Sequence, residues 1–108
     1  MIKLELPDLP YSKDFLNPFM SVETMELHHD KHHLAYVNNG NKFIEEQNLT
    51  EENINELIIN SYKESNAPVF NNVSQHLNHN LFWKIMSNNP DGKIPSELEN
   101  KIIQDLSS

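Results

Sequence analysis

The chain has 108 residues with 8 Lys, no Arg and 16 Asp or Glu, so its net charge is 8 − 16 = −8. That balance argues against a nucleic-acid partner, which needs clustered cations, and against a polybasic membrane anchor. Without cysteine there is no disulfide, thiolate metal site or cysteine nucleophile, and a cytoplasmic location is expected.

The elements follow in chain order. Residues 1–19 contain Pro7, Pro10 and Pro18 and read as an extended arm; MIKLELPDLPYSKDF lacks the apolar core of a signal peptide. Ser21 is the predicted N-cap of a first helix over about 22–47, with Glu23 and Glu26 near its positive end and Gly40 as a candidate kink. Thr50 caps a second helix ending near Glu64. Pro68 suits the first turn of a third, about 68–87, which Asn88-Asn89-Pro90-Asp91-Gly92 stops. Ser96-Glu97-Leu98-Glu99 matches a capping box opening a fourth. Its stripe of Ile94, Leu98, Ile102, Ile103 and Leu106 either docks on the first three helices or opens a longer fold. With only 2 Gly and no window of ~18 apolar residues, the expected class is all-α, dominated by a long antiparallel helical hairpin, with no membrane span.

The six histidines fall in two clusters, Leu27-His28-His29-Asp30-Lys31-His32-His33 and Gln75-His76-Leu77-Asn78-His79. At about 100° per residue, His28, His32 and Tyr36 share one helix face, with Met25, Asn39 and Phe43 on the same stripe. His29 and His33 fall on its flank and read as surface. On the later helix Asn72, Gln75, His79, Trp83 and Met86 share one face, with Phe70, Val73, Leu77 and Leu81 opposite. Each of these residues alone has a plain structural reading: a satisfied core or surface histidine, a capping glutamine, a core aromatic. Their convergence points instead to a metal. Neutral imidazole suits several first-row ions, so the spacing leaves the metal open.

Glu23-Thr24-Met25-Glu26-Leu27-His28-His29-Asp30-Lys31-His32-His33-Leu34-Ala35-Tyr36-Val37-Asn38 resembles the first-helix signature of iron/manganese superoxide dismutases. Phe70-Asn71-Asn72-Val73-Ser74-Gln75-His76-Leu77-Asn78-His79-Asn80-Leu81-Phe82-Trp83 resembles their second ligand-bearing helix, and Leu6-Pro7-Asp8-Leu9-Pro10-Tyr11 their N-terminal arm. The resemblance spans about residues 4–90. It implies His28 and His79 as metal ligands, Tyr36 as the gateway tyrosine, and His32 as a channel-mouth histidine reaching towards a homodimer interface. It also implies Phe82 and Trp83 as pocket walls and Gln75 as the glutamine bonded to metal-bound solvent in iron-type members. Lys31 offers local positive charge to the anionic substrate. Iron is the implied metal, with manganese as the alternative, and superoxide the substrate. An amide at Gln75 would tune the metal without adding charge, and the Tyr36 hydroxyl would relay protons.

Two departures accompany the match. The family's other Asp and His ligands lie in an α/β C-terminal half, in an Asp-x-Trp-Glu-His-type motif. Here Trp83 is the only Trp, and no His follows His79. His76 stands where the family usually has another residue type. The expected organisation is a helical-hairpin domain over 1–90, then a linker and the first helix of a missing C-terminal half over 91–108. Two other readings remain: an inactive helical remnant that binds metal weakly or serves in association, and an unrelated metal carrier using His28, His32 and His79.

Overall fold

The computed structural model describes residues 1–89 and 92–106. Among them all regular structure is helical: α1 (Val22–Met25), π1 (Glu26–His33), α2 (Leu34–Glu46), α3 (Ile54–Lys63), α4 (Ala67–Ile85) and α5 (Ser96–Leu106). The junction residues Glu26 and Leu34 keep right-handed helical dihedrals, so α1, π1 and α2 form one long helix.

Local chemistry accounts for the ends. Ser21 Oγ accepts from the Thr24 amide at 3.1 Å, as an N-cap should. At the far end Asn48 adopts φ 51°, and the Leu49 and Asn48 amides bond back to the Ile44 and Glu45 carbonyls, a Schellman closure. The same closure ends α3, with Ser65 at φ 56° and Asn66 bonded back to Ser61. The cap of α3 is Asn53 rather than Thr50. The Asn53 Oδ1 reaches two amides, of Asn55 and Glu56, at 2.8 and 3.3 Å. Asn66 precedes α4, and Pro68 lies in its first turn, where a missing N–H costs nothing.

The long helices are antiparallel. His28 meets His79, His33 meets His76, and Gln47 meets Asn66 at the tip of the hairpin. α2 packs along α4, and α3 covers a further side of α4. One core joins Leu4, Val37, Ile44, Leu57, Val69 and Val73; a second, by the open end, joins Leu16, Met25 and Trp83. The arm supplies a residue to each. Asn41 fastens it by accepting from the Leu4 amide at 2.7 Å and donating to the Leu4 carbonyl at 2.9 Å. Gly40 marks no helix break; it is the point where Leu4 presses on α2.

α5 differs from its expectations. Ser96 is its first helical residue rather than its cap, because the opening i→i+4 bond runs from the Glu99 amide to the Pro95 carbonyl. Among the described residues α5 packs on no other element, and Leu98, Ile102, Ile103 and Leu106 are exposed. The docked terminal helix is therefore not observed. Pro90 and Asp91 of the expected stop, the boundary at 90/91, and Ser107-Ser108 lie outside the described residues. No helix among those described is long and apolar enough to cross a membrane.

Candidate metal centre

Where π1 packs on α4, ring contacts link all six histidines. The central pair is His28 and His79. Their Nε2 atoms lie 2.9 Å apart, with the rings nearly perpendicular at 84°. His79 Nδ1 lies 2.7 Å from the Gln75 carbonyl. A carbonyl only accepts, so Nδ1 carries the proton and the Nε2 lone pair of His79 faces His28. Burial holds the His28 pKa below its ordinary value, helped by the neighbouring His79 and His32. A proton on His28, or a cation between the two rings, satisfies that lone pair. Two nitrogens this close can both reach one ion at the ~2.0–2.1 Å of metal–imidazole bonds. The donors therefore fit a transition metal. Among the described residues no three His, Asp or Glu side chains form a group able to hold an ion.

The expected surroundings largely assemble. Phe82 and Trp83 wall His28, with centroids at 5.2 and 4.9 Å, and Trp83 is buried. The Tyr36 ring is 5.3 Å from that of His79. Exposed His32 lies 6.2 Å from His28, and together with Thr24 and Leu27 they line a surface depression beside the pair. Gln75 is exposed on α4, and its contact with the pair is through its backbone carbonyl.

His29 and His33, read as surface, are buried at 6% and 0% exposure. The cause is the winding of π1. Bonding i→i+5 widens the turn to about 4.4 residues, so five residues return within about 50° instead of the 140° of an α-helix. His33 thus comes round beside His28, onto the face turned towards α4. His29 is covered by the arm: its Nε2 lies 2.6 Å from the Pro7 carbonyl and its Nδ1 2.7 Å from Asp30 Oδ1. Asp30 also meets Lys13 at 2.7 Å, and the His29 bond, then the Lys13 bond, hold its carboxyl below its ordinary range.

The division of α4 into opposed faces also changes. Val73, expected opposite Trp83, shares one buried face with Val69, His76 and Trp83, while Leu81 from the supposed apolar side is exposed. His33 and His76 are the residues that spacing missed. An arc through Val69, Val73, His76, Asn80 and Trp83 at i, i+3 and i+4 was the available signal for His76.

This helical hairpin carries a histidine on each arm, facing across to the other. Residues 3–87 match the family model of the alpha-hairpin domain of iron/manganese superoxide dismutases, and the chain belongs to that family. It is 50% identical over 103 residues to "Superoxide dismutase [Mn]" of Rhizobium meliloti (strain 1021), covering 94% of this chain and 51% of that one. It is 42% identical over 108 residues to "Superoxide dismutase [Fe]" of Rhodobacter capsulatus, covering 96% and 54%. It is 38% identical over 104 residues to "Superoxide dismutase [Mn/Fe]" of Rickettsia bellii (strain RML369-C), covering 95% and 50%. The chain thus spans about half the length of the curated relatives it matches.

Proposed function

We propose that this chain supplies the N-terminal half of a superoxide dismutase centre, with His28 and His79 as ligands to one redox metal and the remaining ligands from outside these residues. The observation that carries the reading is the 2.9 Å approach of the two Nε2 atoms across the hairpin. When bound, the metal would supply the electron exchange that turns superoxide into oxygen and peroxide. The chain's own part is to hold two neutral imidazoles in place. Phe82 and Trp83 keep water from the His28 side, while Tyr36, beside His79, would move protons and His32 would sit at the approach. Gln75 would tune the metal-bound solvent once the other half is in place.

Iron is the metal proposed, because Gln75 stands on α4 as in iron-type members. The second reading, a chain that takes iron or manganese, is favoured by the relatives' names, which cover both metals. Residues 1–90 would form the hairpin domain and 91–108 a linker and the first helix of a second domain, the exposed stripe of α5 being covered there. A homodimer and a cytoplasmic location complete the proposal; the lack of cysteine suits the latter.

A chimera of residues 1–108 with the remaining part of the Rhizobium meliloti relative tests this. It should bind one ion per chain and dismutate superoxide, and His28→Ala or His79→Ala should abolish both. Unchanged binding and turnover in those variants would refute the assignment.

A further inference from the structure

Behind the His28–His79 pair runs a second line of hydrogen bonds that the proposed function does not use. Trp83 Nε1 lies 2.9 Å from His33 Nδ1. His33 Nε2 lies 2.8 Å from His76 Nδ1, and the side-chain nitrogen Nδ2 of Asn80 lies 3.4 Å from His76 Nε2. Trp83, His33 and His76 are all buried, at 1%, 0% and 4% exposure.

The direction of this line follows from one group. An indole N–H only donates, so His33 Nδ1 must accept and the His33 proton sits on Nε2. That proton points at His76 Nδ1, which must accept in turn, leaving the His76 proton on Nε2. It then needs an acceptor, and the Asn80 Oδ1 is buried with no partner of its own. Turning the Asn80 side-chain amide over, so that Oδ1 takes the place Nδ2 holds at His76 Nε2, completes the line. Four side chains on two helices are then satisfied by three bonds of one sense. Both histidines are neutral in this arrangement, in keeping with burial lowering the pKa of each.

The line ends on the ring that walls a candidate ligand. Trp83 meets His28 edge-on at 4.9 Å and 71°. We propose that His33, His76 and Asn80 form a one-way hydrogen-bond relay that fixes the Trp83 indole against His28, making His33 and His76 positioning residues for the metal pair. The proposal rests on the reading of His28 and His79 as ligands. It also assigns His33 its state: its one lone pair is taken by the indole, so it is no ligand although its ring is 5.3 Å from that of His79.

The test has a metal-free and a metal-bound readout. In the 108-residue chain with 15N-labelled histidine, long-range nitrogen–proton NMR at neutral pH should show His33 and His76 as Nε2–H tautomers, with a slowly exchanging Trp83 indole proton. His76→Leu keeps the bulk but removes the acceptor, whereas His76→Asn loses bulk but places an oxygen near the Nδ1 position. The Leu variant should lose indole protection, shift the His28 ring signals and weaken cobalt(II) binding about tenfold. The Asn variant should restore all three. An Nδ1–H tautomer at His33, or a Leu variant that behaves as wild type while Asn fails, would overturn the relay. Wild-type chain with the stated tautomers that takes up no cobalt(II) even at a large excess of the ion would instead refute the ligand reading, and the positioning role with it, while leaving the hydrogen-bond line intact.

Discussion

Leu4 lies directly against Gly40: a Cβ at residue 40 would sit 2.7 Å from Leu4 Cδ1, closer than packed atoms tolerate. The arm cannot simply shift, because Asn41 holds both backbone groups of Leu4. Alanine at position 40 gains about 1 kcal/mol of helix propensity but overpacks a buried contact at a cost of about 1–3 kcal/mol. Gly40→Ala should therefore lower stability by about 1 kcal/mol in urea titration. A stabilised variant would mean that the arm is not clamped there.

The start of α3 offers a paired test. Asn53→Ala should lose about 1 kcal/mol, since two amides lose their acceptor, while Thr50→Ala should change stability by less than about 0.5 kcal/mol. Equal losses would restore Thr50 as the cap.

Stability should depend on pH through His33 and His76. Burial, then the neighbouring His76, His79, His29 and His28, push the His33 pKa down to about 4, and burial with His79 also lowers His76. The unfolded chain takes up these protons near pH 6.5, before the folded chain does. The part of the stability these two groups contribute should be full above about pH 6.5 and be lost as pH drops from there through about 4. Urea midpoints of the metal-free chain from pH 7.5 to 4.5 check this. A flat profile in wild type, or the same slope in His33→Leu, would contradict it.

The isolated 108-residue chain should dismutate superoxide poorly, hold little metal after purification, and self-associate. Two imidazoles bind weakly, and the apolar stripe of α5 is exposed. Sedimentation equilibrium and metal analysis read these directly. A monomer with a near-full metal complement and fast turnover would show that Asp30 or His32 completes the site.

Much of this was legible in the residues. The antiparallel hairpin follows from helical periodicity and Pro and Gly punctuation, and the facing of His28 and His79 from their places on its two arms. The winding of π1 was not legible, because faces counted at about 100° per residue presuppose i→i+4 bonding, and the run Glu26–His33 carries no residue signature of an i→i+5 turn. For that reason α-helical spacing puts His33 on the surface although it is wholly enclosed. The prolines predict an extended arm, but nothing in them indicates that Leu4 and Leu16 enter two separate cores. Asn53 displaced Thr50 because cap geometry, not residue preference alone, decides which oxygen meets two amides.

The central claim is that His28 and His79 bind one ion together. Pulsed EPR of the chain loaded with copper(II) counts directly coordinated imidazoles through the coupling of their remote nitrogens. Two equivalent imidazoles are predicted, falling to one in His28→Ala and to one in His79→Ala, with a fall in affinity of at least about tenfold in each. Signals that show no histidine coupling, or that keep both imidazoles after either substitution, would contradict the claim.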